Sequence, residues 1–73
     1  MNERISIDPA VCHGKPCIKG TRIMVSNILN LMSTGADLKE VLEGYPELAP
    51  EDVYAAFAYA ESVVNDEDII LSA

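Results

Sequence analysis

The stretch ADLKEVLEGYPELAPEDVYAAFAYA, residues 36–60, predicts two helices joined by a turn. The first helix begins after Asp37, which suits an N-cap and has a glutamate three positions on, in a capping-box pattern. Gly44 ends this helix, and Pro46 prevents its continuation. The second helix begins at Pro50, a residue favoured in the first helical turn. The stretch therefore permits a helix-turn-helix arrangement.

Outward from this stretch, the sequence predicts a third helix and two short strands. Residues 25–33 carry an apolar face and precede a glycine, which predicts the first helix of the chain. Residues 4–8 alternate apolar and polar side chains, and residues 17–23 suit a second strand with Gly20 as a bulge or turn. We expect a mainly α single domain over residues 1–65, followed by a tail.

The last helix, predicted to end near residue 65, contains the run VYAAFAYA and has almost no polar face. A helix that is apolar nearly all round is buried on more than one side. The chain has 73 residues, of which 49% are hydrophobic. A domain of this size buries only about 60% of its unfolded surface. We therefore expect the second side of this helix to pack against another molecule, and we predict a homodimer.

Charge is distributed unevenly along the chain, whose net charge is −7. Four bases against two acids give the first 35 residues a net charge of +2, whereas ten acids against Lys39 give the remainder −9. The basic end could meet an anion, and the acidic half would be repelled by phosphate. The plainer alternative is that the acids form a solvated surface.

The segment CHGKPCIKGTRI, residues 12–23, contains both cysteines and the one histidine of the chain. Structural zinc takes four ligands, and no second Cys or His pair accompanies Cys12, His13 and Cys17. The cysteines are spaced C-x4-C instead of C-x-x-C, so a reversible disulfide is a weaker interpretation than packing of two reduced thiols. The segment also lacks the phosphate-loop pattern G-x-x-x-x-G-K-[ST].

No nucleophile, base and orienting acid come together in the pattern, so we do not expect an enzyme. We likewise predict no metal, no cofactor and no small-molecule substrate. The N-terminus is charged and mixed, and the longest apolar run is far shorter than the roughly 20 residues of a membrane span. We expect a soluble, cytoplasmic protein that does not bind a membrane.

DNA binding is permitted by the helix-turn-helix pattern and disfavoured by its chemistry. The connection GYPELA is longer than the usual three or four residues, and the following helix opens with Glu51 and Asp52, where base recognition favours basic or amide side chains. If DNA is bound, the basic N-terminal half is the better surface. The candidate DNA-binding residues are Arg4, Lys15, Lys19 and Arg22.

Several of these motifs together resemble a known family. The segment CHGKPCIKGTRI is followed by V-x-x-I-L-x-L, by EVLEGYPEL and by EDVYAAFAYA. This combination, over about residues 5–70, is similar to the small bacterial proteins grouped as domain-of-unknown-function family 433. The chain departs from the family pattern at Met24, where proline is usual, and at Ala49, where serine or threonine would cap the last helix.

The resemblance implies a homeodomain-like, three-helix core with a short N-terminal β-hairpin. It also implies a VapB-like antitoxin that binds and inhibits a PIN-like nuclease toxin and represses its own operon through operator DNA. The alternative is a DNA-binding transcriptional regulator without a toxin partner. Within the antitoxin interpretation, the acidic and apolar C-terminal half, including the tail 66–73, would fit the basic cleft of a nuclease. The candidate partner-binding residues are Tyr54, Tyr59, Asp66, Glu67, Asp68, Ile69, Ile70 and Leu71.

Overall fold

The computed structural model describes residues 3–66 and confirms the mainly α fold class. Three helices follow a short N-terminal β-hairpin along the chain. The hairpin pairs two short antiparallel strands, which are separated by a turn at Cys12–Gly14. The elements in chain order are β1 (Ile5–Ser6), β2 (Cys17–Ile18), α1 (Val25–Ser33), α2 (Leu38–Gly44) and α3 (Pro50–Asn65).

The hairpin is shorter than the sequence pattern predicts. β2 ends at Ile18, so the prediction of a strand over residues 17–23 is wrong. The cause is a tight turn at Gly20, whose φ of +82° lies in the left-handed region that glycine adopts easily. The turn brings the chain back, so that the Ile18 amide donates to the Ile23 carbonyl at 2.9 Å. This return segment leads directly into α1.

The starts of α1 and α2 are each stabilised by local hydrogen bonds. The capping box predicted for α2 is confirmed, because the Glu40 amide donates to Asp37 Oδ1 and the Asp37 amide donates to Glu40 Oε1, both at 2.9 Å. At the start of α1, the Met24 amide donates to Asn27 Oδ1 at 2.9 Å. A proline at position 24 has no N–H and could not donate this hydrogen bond.

The core lies between α1, α2, α3 and β2. Ile18, Ile28, Val41, Val53 and Ala56 are almost completely shielded from solvent and come from these four elements. The helices meet because each carries apolar residues at helical spacing, which share one face. Among residues 3–66, no helix is both long enough and apolar enough to cross a membrane.

Candidate functional site

Helix α3 exposes four large apolar side chains along its length. The exposed fractions are 59% for Tyr54, 40% for Phe57, 38% for Val63 and 71% for Val64. We name these four residues the α3 apolar surface. Single exposed apolar residues are ordinary on protein surfaces, whereas several on one helix of a small domain indicate an interaction site.

The helical period places the α3 apolar surface around the buried side of the helix. Val53 and Ala56 face the core and are buried. Phe57 and Val64 are four and eleven residues from Val53 and therefore lie close to that buried side, whereas Tyr54 lies about 100° around the helix from Val53. The sequence predicted a helix buried on more than one side. The described chain covers one side of α3 only, and coverage of the second side by another molecule stays a prediction.

A groove of about 390 Å³ continues from this surface toward α1. Its walls are mainly apolar: Val25 and Leu29 come from α1, and Tyr59 and Val63 come from α3. Tyr59 also packs against the core, which fixes its ring as part of the wall. Lys15, from the segment before β2, contributes a cationic side chain to the lining. The groove and the α3 apolar surface are continuous through Val63 and Val64, which belong to both.

The surface of residues 36–66 is strongly acidic. Lys39 is the one basic residue in this range and lies 4.0 Å from Glu43. One acid, Asp52, is buried, and the exposed acids are Asp37, Glu40, Glu43, Glu47, Glu51, Glu61 and Asp66. Glu61 lies on α3 between Phe57 and Val64, so one carboxylate lies among the apolar side chains. A partner with a basic surface would complement this arrangement.

The predicted partner-binding residues are partly described. Tyr54 is exposed on α3, Tyr59 is half-buried in the groove wall, and Asp66 is exposed at the C-terminal end of α3. Tyr54 and Tyr59 therefore lie on different faces of α3, and Asp66 directly follows this helix. The remaining residues of the prediction lie outside the described range: Glu67, Asp68, Ile69, Ile70 and Leu71.

The predicted DNA-binding residues have different surroundings. Lys15, Lys19 and Arg22 are exposed, but Lys15 lines the apolar groove and Arg22 lines a separate cleft of about 510 Å³ that also contains Glu47. Arg4 pairs with an acid of α3: its Nη1 lies 2.9 Å from Asp52 Oδ1. DNA contact by these residues stays a prediction.

Asp52 is a structural residue that the sequence pattern did not single out for pairing. Its Oδ1 accepts from Arg4, and its Oδ2 accepts from the Ala49 amide at 2.8 Å. The carboxylate therefore satisfies the α3 start, where Ala49 has no capping side chain, and attaches that start to the N-terminal segment. An acid in the first turn of a helix is a signal that the sequence shows. No sequence signal indicates that Arg4, which is 48 residues away, is the partner of Asp52.

The cysteines lie close together, and the histidine does not join them in a ligand cluster. Cys12 is half-buried, Cys17 is buried, and both are free thiols. Burial, followed by a hydrogen bond with the Cys12 thiol, raises the pKa of the Cys17 thiol above its ordinary value. Within residues 3–66, no three Cys, His, Asp or Glu side chains are grouped as metal ligands would be.

Comparison with known proteins gives consistent results. A crystal structure of a DUF433 member protein from Anabaena variabilis ATCC 29413 is similar to this chain, with a TM-score of 0.79 and 37% identity, over 96% of this chain and 69% of that one. The uncharacterized protein y4eO of Sinorhizobium fredii is 30% identical over 60 residues, and the chain spans only 27% of its length. The model of the family "Protein of unknown function (DUF433)" matches residues 5–60. The chain belongs to the DUF433 family.

Proposed function

We propose that this chain is a non-enzymatic, antitoxin-like protein that binds and inhibits a PIN-like nuclease toxin. The observation that supports this proposal most is the α3 apolar surface. Its residues Tyr54 and Val64 are more than half exposed, although a domain this small needs its apolar side chains for its core. Burying such side chains against a partner is favourable by about 25 cal/mol per Å² of apolar area removed from water. The proposed site of action is the cytoplasm, where the nuclease partner would be made.

The acids around the α3 apolar surface suggest how inhibition would occur. A nuclease binds the phosphates of its substrate in a basic cleft, and carboxylates such as Glu61 and Asp66 carry the same sign of charge as phosphates. Opposite charges on the two proteins would accelerate association, and the apolar contacts would slow dissociation. In this proposal, the antitoxin occupies the cleft and excludes the substrate. Salt should therefore reduce the association rate more than the dissociation rate.

The test is co-expression of this chain with a PIN-like nuclease encoded by an adjacent gene. We expect the two proteins to co-purify and the nuclease to lose activity in the complex. Absence of such a neighbouring gene, or a nuclease that stays active with a molar excess of this chain, would contradict the proposal. An unrelated nuclease of similar basic charge serves as the control, because general electrostatic attraction would affect both enzymes alike.

The second candidate is a DNA-binding regulator, which the exposed Lys15, Lys19 and Arg22 favour. In this proposal, a homodimer would double these bases, and the same contacts would let an antitoxin repress its own operon. Because α3 begins with acidic residues, this helix is poorly suited to hydrogen-bond with base edges in DNA. In a gel-shift assay with operator DNA, replacing the three bases by alanine should weaken binding and reduce its salt dependence. Absence of a shift with the wild-type protein would rule out DNA binding.

A further inference from the structure

The turn between β1 and β2 has an unusual backbone. Three consecutive residues lie in the left-handed region, with φ of +53° at Cys12, +57° at His13 and +80° at Gly14. Glycine adopts this conformation readily, whereas cysteine and histidine rarely do. The turn is closed by hydrogen bonds from the Gly14 amide to the Val11 carbonyl and from the Lys15 amide to the Cys12 carbonyl, at 3.1 and 3.0 Å. Strained backbone of this kind is concentrated at functional sites.

The effect of this turn is to direct the Cys12 thiol toward the hairpin. Cys12 Sγ donates to the Arg22 carbonyl at 3.4 Å, and Cys17 Sγ donates to the Thr21 carbonyl at 3.6 Å. Because Thr21 and Arg22 are neighbours in the chain, both sulfurs are held against the same short segment. The two neighbouring carbonyls hold the sulfurs near each other, and the Cys12 thiol is one of the groups that raise the pKa of the Cys17 thiol. Sequence spacing alone did not predict this proximity, since C-x4-C is compatible with many separations.

The two thiols differ in a way that suits thiol–disulfide exchange. Cys12 is half-buried and reachable, whereas Cys17 is 1% exposed. Burial raises the pKa of Cys17, so its thiol is a poor first nucleophile toward an external reagent. The reachable thiol can react first, and the buried thiol is positioned to attack the product. Packing alone would account for the buried Cys17, and it leaves the left-handed conformation of Cys12 unexplained.

We propose that Cys12 and Cys17 form a reversible dithiol–disulfide site whose substrates are low-molecular-weight disulfides. The Cys12 thiolate attacks one sulfur of the reagent and expels the first thiolate, which leaves a mixed disulfide on Cys12. The Cys17 thiol loses its proton and attacks the Cys12 sulfur, which expels the second thiolate. In total, two protein thiols are oxidised to one disulfide, and one small disulfide is reduced to two thiols.

The test uses the full chain and oxidised glutathione, with intact-mass measurement and titration of free thiols. We expect the wild-type protein to become lighter by two hydrogens, to retain no free thiol and to recover its original mass after reduction. The variant C17A should stop at the mixed disulfide, with one glutathione attached to Cys12. The variant C12S should react more slowly by on the order of tenfold or more, because the remaining thiol is buried.

The wild-type result alone decides the proposal, even if C17A weakens the core. A stable glutathione adduct on the wild-type protein would show that Cys17 does not reach Cys12, and would contradict the proposal. Two thiols that stay free in excess oxidised glutathione, or disulfide-linked dimers on a non-reducing gel, would contradict it equally. A peptide map must place the bond between residues 12 and 17.

Discussion

The two ends of α3 differ in how completely this chain supports them. At the N-terminal end, Asp52 is buried and both of its carboxylate oxygens accept hydrogen bonds. Val53 and Ala56 are buried in the core. At the C-terminal end, Val63 and Val64 are exposed on the same helix. One end is therefore held by the fold, whereas the other exposes apolar side chains. A single helix serves as a core element and as the proposed binding surface.

Helix length explains the difference between the two ends. α3 has 16 residues, and α1, which packs against it, has nine. At 1.5 Å per residue, α3 is about 10 Å longer than its neighbour. Within residues 3–66, the fold therefore covers only part of α3, and the side chains near its C-terminal end contact few other groups. A helix that extended only to support the core would end earlier.

The largest predicted effect on stability comes from a substitution at the N-terminal end of α3. Replacing Asp52 by alanine removes a charge-assisted hydrogen bond from Arg4 and the acceptor for the Ala49 amide. We expect the free energy of unfolding to fall by about 2 kcal/mol, measured by urea denaturation. The matched control is Glu51→Ala, an exposed acid in the same turn, which should change stability by no more than about 0.5 kcal/mol.

A smaller effect on stability is expected from substitution of Arg4, the ion-pair partner of Asp52. Arg4→Ala should cost about 1 kcal/mol, because half of its side chain is exposed and the Asp52 carboxylate keeps its bond to Ala49. Combining Arg4→Ala with Asp52→Ala should cost less than the sum of the single changes, since both remove the same ion pair. Strictly additive effects would show that the two residues act independently.

The smallest effect on stability is expected at the exposed apolar side chains of α3. The double variant Tyr54→Ser, Val64→Ser should change the free energy of unfolding by about 0.5 kcal/mol or less, because both side chains are already exposed. Thermal and urea unfolding would measure it against the wild type at equal protein concentration. A large loss of stability in dilute solution would mean that these side chains are already buried, as in a homodimer that forms through α3.

Much of the helical architecture could be predicted because its signals are local. Asp37 with Glu40, Gly44 and Pro50 mark helix ends within a few residues of themselves, and the predicted limits of α1, α2 and α3 are confirmed. Capping and chain-breaking residues act within one helical turn, so a short window of sequence contains the whole interaction.

The candidate sites could be predicted only in part, because they depend on contacts between distant residues. Arg4 was interpreted as a DNA contact from its charge, and only the fold shows that it lies beside Asp52. The approach of Cys12 to Cys17 depends on a left-handed backbone at two residues that are not glycine, which no residue preference indicates. The apolar excess of α3 was visible in sequence, but which of its side chains are exposed depends on how far the neighbouring α1 reaches along α3.

The central claim is that the exposed apolar side chains of α3 bind a basic nuclease, and calorimetric titration of the purified toxin tests it most directly. The variant Tyr54→Ser, Val64→Ser should bind at least about tenfold more weakly than the wild type, which corresponds to about 1.4 kcal/mol. The matched control is Ile7→Ser, since Ile7 is 55% exposed and is the large exposed apolar residue outside α3 among residues 3–66. This control should bind as the wild type does. Equal affinity of all three proteins for the toxin would contradict the claim.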